Sequence, residues 1–186
     1  MIEVISKAMQ EVSKQDIVKG QSDVPAFAKD MKPEIVTSYE EANLPIQRFV
    51  DTKNQSLDGD MHPITGIPFE SKIVEMTEGE LVEGVFPEFP NEFEMQLDES
   101  QYLESDARQF NAARDELKNE VASNPELADK FTSEQLEQIE FGETPDGYVW
   151  HHSEQPGVLQ LVDSEIHAKT GHTGGRSIWG GGSDNR

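Results

Sequence analysis

Cysteine is absent from the 186 residues. That excludes a disulfide scaffold, zinc–thiolate sites and a cysteine nucleophile. Hydrophobic residues are scarce at 34 %, and no apolar run approaches the roughly 20 residues of a membrane span. The N-terminus lacks a basic start followed by an apolar core, so no ordinary signal peptide is expected. Bases are few: 15 Lys and Arg stand against 37 Asp and Glu, a formal charge of -22. Such a chain is not a general nucleic-acid binder, because phosphate contacts come from Lys and Arg. It fits an acidic binding protein more readily.

The charge is unevenly spread, at -4 over residues 1–60, -15 over 61–141 and only -3 over 142–186. The last third is therefore the part least repelled by an anionic substrate. It also holds four of the five histidines and both tryptophans. In the first part, Ile2, Ile5, Met9 and Val12 fall at helical spacing. The polar stretch from Asp51 to Asp60 reads as a linker. Residues 1–60 are accordingly expected to be a partly flexible leader or adaptor, with a second domain over 61–186.

Within that domain the pattern predicts strands over 72–76, 81–86 and 92–97, separated by Gly79, Pro87, Pro90 and Asn91. A long helix capped by Asp98 follows to about Val121, with Tyr102, Phe110, Ala113 and Leu117 on one stripe. Short helices are expected after Pro125 and from Ser133, the latter ended by Gly142. His62, alone in a Pro-flanked loop, reads as structural. Trp150 and Trp179 read as core, Trp150 anchoring the strand below His151.

Residues 144–175 condense into a strand, a turn, a returning strand and a helix. Tyr148 to His151 is the first strand. Val158 to Val162 is the second, and Asp163 or Ser164 caps a helix that carries His167 and stops near Gly171. Adjacent strand residues point to opposite faces. One of His151 and His152 can therefore face a metal on the helix side while the other faces an open cleft. His167 can meet the ion from the helix. His172 reaches it only if the helix breaks at Gly171 and the chain turns back. A closed four-nitrogen zinc site would leave no open position for chemistry.

The run from Gly147 to Gly182 resembles the WHH family of nucleases, within the HNH/endonuclease VII superfamily of ββα-metal folds. The matching residues are Trp150-His151-His152, Gln160-Leu161-Val162, Ile166-His167 and His172-Thr173-Gly174-Gly175-Arg176. The stretch from His62 to Asp146 looks like the segment leading into this motif in toxins with an LXG-type N-terminal domain, which this chain does not show. The resemblance implies an α+β fold, with a ββα-metal finger over 144–175 packed on a mixed, acidic helical and strand region. It implies a metal-dependent endonuclease, with DNA the expected substrate ahead of RNA. His152 matches the general base, and His151 and His167 match ligands of one divalent ion (Mg, Mn, Ni or Zn). His172 matches a third ligand of colicin-type members, one residue further along. The Asn that many members place on the second strand is Val158 here, so Gln160 or a main-chain carbonyl must orient the base. Arg176, in its glycine-rich tail, is expected to fork onto a substrate phosphate, or else the glycines only let the tail wrap the finger. A toxin of this kind implies a cognate immunity protein, no membrane partner, and delivery into the cytoplasm of a target cell. The alternatives are an acidic, antitoxin-like binding protein and a catalytically degenerate adaptor.

Overall fold

The computed structural model describes residues 48–185, so the helix expected around Ile2 to Val12 lies outside the described residues. The chain divides into two units, residues 1–44 and 45–186, and everything below belongs to the second. It is an α+β fold built on two three-stranded sheets. In the first, β1 (Arg48–Phe49) runs parallel to β3 (Leu81–Pro87), which pairs antiparallel with β2 (Phe69–Glu75). In the second, β4 (Asn91–Gln96) and β5 (Tyr148–His152) flank β6 (Val158–Asp163), all antiparallel. The two-stranded hairpin expected of the finger thus recruits a third strand from the acidic region. Among the described residues no helix is long and apolar enough to cross a membrane.

The long helix begins later than its sequence pattern suggests. Asp98 does cap, but its capping box with Gln101 closes only a 3₁₀ turn, Glu99–Gln101. The chain then breaks, and α1 runs from Asp106 to Ser123 after Ser105. The break frees the carbonyls of Gln101 and Tyr102, and both accept from the Gln109 amide at 2.8 Å. Asn124 caps α2 (Pro125–Ala128), with Pro125 in the first turn, where its missing N–H costs nothing. Thr132, with Gln135, forms the capping box of α3 (Ser133–Glu140). Gly142, at φ 74°, ends it. Asp163 caps α4 (Ser164–Lys169) by accepting from the Ile166 N–H.

Leu97, Ala113, Leu117, Leu127, Phe131, Ile139, Leu159 and Leu161 form the main core with Trp150 and Trp179. Both tryptophans are where the sequence put them. Trp150 packs edge-on against Phe93, with ring centroids 6.2 Å apart. His62 is buried and engages Thr65 through Nδ1, and Thr65 in turn bonds Thr170.

The stretch Asp51–Asp60 is not a linker. Thr52 is buried and donates to the Val85 carbonyl (2.7 Å). Lys53 N–H donates to Thr173 Oγ1 (2.9 Å), and Asn54 Nδ2 donates to the Gly171 carbonyl (2.5 Å). Thr52, the Lys53 N–H and Asn54 bond to strand β3 and to the loop around His172, where composition alone reads solvent exposure.

Candidate metal and catalytic site

Strand alternation decides the division between the paired histidines. Along β5 each residue faces opposite its neighbour. His151 pairs with Gln160 across the ladder and turns toward α4, while His152, opposite Leu159, turns toward α1. The two imidazoles therefore enter different environments.

On the α4 side, His151, His167 and His172 each offer a ring nitrogen within 4.8 Å of the others. His167 Nε2 lies 3.3 Å from His151 Nδ1. Two nitrogens bound at ~2.1 Å to one tetrahedral ion would stand about 3.4 Å apart, so the spacing suits a shared cation. The His172 ring reaches the cluster because α4 ends at Lys169 and Thr170 takes an extended conformation. His172 Nδ1–H donates to the Thr170 carbonyl (2.7 Å). That bond fixes the tautomer and leaves Nε2 unprotonated, the form a ligand needs. The turn back was expected to need Gly171 at positive φ. Instead Thr170 makes it, its hydroxyl donating to the Ile166 carbonyl, and Gly171 is not among the positive-φ residues. Gly171 supplies space: a Cβ there would lie 2.5 Å from Lys53 Cε and Nζ.

Phe89 forms the apolar floor of the cluster, its ring 4.9, 5.3 and 5.1 Å from those of His151, His167 and His172. Burial in this setting disfavours the protonated rings. His151 is held well below its ordinary value by burial first, then by the neighbouring His172 and His167. Burial and then His172 push His167 down to about 4. Burial lowers His172 too, assisted by the Lys53 charge and opposed by the Thr170 carbonyl. All three are neutral near pH 7, as ligation requires. The donor set therefore fits one borderline divalent ion bound through three imidazoles.

On the α1 side, His152 does not face an open cleft. It is 8 % exposed and packs against Phe110 and Trp179, at ring separations of 5.1 and 5.5 Å. Its Nε2 lies 2.8 Å from Oε1 of Gln109, a fully buried residue. Both amide hydrogens of Gln109 are spent on the carbonyls of Gln101 and Tyr102. Oε1 must then be the acceptor, so His152 Nε2 carries a hydrogen. Gln160, offered by sequence as the orienting residue, donates to Glu94 instead.

Arg176 is 4 % exposed. Its Nη1 donates to Gln109 Oε1 (3.2 Å) and to the Glu104 carbonyl (3.1 Å), and its Nε pairs with Asp106 Oδ1 at 2.9 Å. Asp106 also stands 3.9 Å from His152 Nε2. The expected phosphate-binding arginine is thus engaged inside the chain, bracing the residue that holds His152. Gly175 is part of the same packing, since a Cβ there would meet the Ser153 carbonyl at 1.7 Å. Trp179 Nε1 donates to that carbonyl (2.8 Å). The glycine-rich tail wraps the turn after His152.

Sequence reading missed Gln109, Asp106 and Phe89. None lies in the strand–strand–helix segment, and each sits in a stretch with a sufficient explanation as helix stripe or Pro-rich turn. No local pattern marks them; only the packing of α1 and of the Phe89 loop on β5 brings them to the histidines.

No curated protein and no solved structure matches the chain. A family model, the DNase/tRNase domain of colicin-like bacteriocin, matches residues 78–174. That span covers α1, both strands of the hairpin, α4, the three clustered histidines and His152. The chain belongs to the family of DNase/tRNase domains of colicin-like bacteriocins.

Proposed function

We propose that this domain is a metal-dependent endonuclease of the HNH type, of the WHH subfamily, that hydrolyses phosphodiester bonds, DNA ahead of RNA. The observation that carries the proposal is the split of the paired histidines. His151 joins His167 and His172 in a neutral, three-nitrogen cluster, while His152, one residue on, faces the other side of β5 and is held by Gln109 through Nε2.

In this reading His152 takes the proton from a water as the water oxygen attacks phosphorus. As the P–O3′ bond breaks, the leaving 3′-oxygen takes a proton from solvent, and the imidazolium returns its own proton to solvent. General base catalysis of this kind contributes about 10²–10⁴-fold. His151, His167 and His172 would hold the divalent ion, which when bound supplies Lewis-acid stabilisation of the charge developing on phosphate and leaving oxygen. Gln109 holds His152 through Nε2, and Arg176 with Asp106 keeps Gln109 in place. The role of a direct phosphate contact, expected of Arg176, passes to other cations, because its guanidinium already has three partners within the chain.

As a member of a bacteriocin-like toxin family, the protein would act as an effector delivered into a target-cell cytoplasm, and its producer would need an immunity protein. Residues 61–186 would form the nuclease domain, extended at its start by the segment from Arg48. The acidic binding or adaptor alternative rests on the -22 charge, and neither role has a use for three converging imidazoles. Digestion of plasmid DNA and of RNA with Mg²⁺, Mn²⁺, Ni²⁺ or Zn²⁺, beside an EDTA control and a His152→Ala variant, tests the proposal. Metal-dependent cutting that His152→Ala abolishes is expected. No cleavage of either nucleic acid with any of the metals would overturn it.

A further inference from the structure

An acidic nuclease has to meet a polyanion with very few cations. Nine Lys and Arg fall within the described residues, and eight of them are already committed. Arg48 pairs with Glu80, Lys72 with Glu88 and Glu154, Arg108 with Glu104, Lys130 with Glu92, Lys169 with Glu165 and Arg176 with Asp106. Arg114 donates to Asn111, and Lys118 to the Glu140 carbonyl. Lys53 remains. Its side chain makes no hydrogen bond or ion pair with another described residue.

The position of Lys53 is equally particular. Its exposed side chain lies across Gly171, the residue before His172, with Cε and Nζ where a Cβ of Gly171 would have to go. Its own N–H donates to Thr173 Oγ1, and the next residue, Asn54, donates to the Gly171 carbonyl. Two hydrogen bonds thus pin the backbone carrying Lys53 to the residues on either side of His172. The ammonium stands at the edge of the histidine cluster, close enough for its charge to act on His172. Lys72 acts similarly on His151, but two carboxylates hold it.

We propose that Lys53 is a nucleic-acid phosphate contact of this site, presented by a clasp, Thr52 to Asn54, that precedes the part of the chain matched by the family. The inference rests on the nuclease reading above. A solvated ammonium with no partner among the described residues, carried beside the candidate site on a pinned backbone, is the arrangement that exchanges condensed counterions for phosphate oxygens.

The test uses the full chain carrying His152→Ala, loaded with Ni²⁺, and a short DNA duplex. Adding Lys53→Gln should weaken binding about 3–10-fold near 0.1 M salt and reduce the slope of log K against log salt by about 0.9, the share of one phosphate. Lys53→Arg should restore both. Lys118→Gln, which removes the same charge elsewhere, should leave the slope unchanged. Metal titration without nucleic acid should show no loss of affinity in Lys53→Gln. Equal duplex affinity and slope in the Lys53→Gln protein, an equal loss in Lys118→Gln, or weakened metal binding would each overturn the inference while leaving the nuclease reading intact. Absence of any duplex binding by the His152→Ala parent would instead remove the nuclease reading, and this inference with it.

Discussion

Gln109 accepts a hydrogen bond at 2.8 Å from the imidazole of His152, a residue 43 positions further along the chain. That bond joins α1 to the end of β5 and selects one of the two tautomers of the candidate base. Many relatives of the resembled superfamily use an Asn on the second strand for this purpose, where this chain has Val158. In the proposed mechanism Gln109, on α1, would take that task.

Replacing Gln109 by Leu should therefore impair catalysis without touching the metal site. His152 and Arg176 would each lose one buried acceptor, at a cost of about 1–3 kcal/mol in stability. Cleavage should fall about 10–100-fold, the usual effect of losing a residue that orients a catalytic group. Gln109→Glu, which keeps an acceptor, should lose less. Single-turnover cleavage beside calorimetric metal titration separates the effects; a drop in metal affinity would show that the two sides of β5 are not independent.

His152→Ala should reduce cleavage by about 10²–10⁴-fold and leave metal affinity within about twofold, since its ring lies outside the three-nitrogen cluster. His151→Ala, His167→Ala and His172→Ala should each weaken metal binding by more than tenfold. Unchanged affinity in His172→Ala would reduce the site to His151 and His167.

Acid should destabilise the metal-free protein in a defined window. His167 titrates near 4 when folded against an ordinary 6.5, and His151 and His172 shift in the same direction. Between those values the unfolded chain binds protons that the folded chain does not, so stability falls as pH drops. Above pH 6.5 these rings are neutral in both states and contribute no slope. The melting temperature should decline from about pH 6.5 toward 4, less steeply in His167→Asn. A flat profile through that range would contradict the buried, neutral cluster.

Two glycines of the tail should respond oppositely to alanine. At Gly171 the new methyl meets only the mobile end of Lys53, so the change should cost under about 0.5 kcal/mol. At Gly175 it meets the Ser153 backbone and the Trp179 indole. That overpacking should cost at least about 1–3 kcal/mol and disturb the turn after His152. Chemical denaturation of both variants measures the contrast.

A protein beginning at Pro45 should melt higher than one beginning at Asp60. The shorter chain loses β1, the buried Thr52 and both hydrogen bonds to the Gly171–Thr173 loop. Equal melting temperatures would return the Asp51–Asp60 stretch to the status of a linker.

The strands, the hairpin and the short helices were legible in the sequence because their causes are local. β-branched and aromatic runs, Asp163 as a cap, Pro125 in a first turn, and Gly142 after the last turn act within a few residues of where they stand. The candidate ligands were legible for a related reason, since His151, His167 and His172 lie within one strand–strand–helix unit whose geometry follows from spacing. The late start of α1 was not legible, because Asp98 caps equally well a helix or the single 3₁₀ turn that forms. Gln109 looks like a helix-surface glutamine until Gln101, Tyr102 and His152 surround it. Arg176 looks like a free phosphate ligand until Asp106 pairs with it. The Asp51–Asp60 stretch is polar either way, whether its groups meet water or the Gly171–Thr173 loop. Residue type and spacing determined which side chains could do the chemistry. Only the packing of distant segments decided which imidazoles converge into one cluster, which is held by Gln109, and which lysine finds no partner among the described residues, because burial and hydrogen-bond partnership are set by segments far apart in the chain.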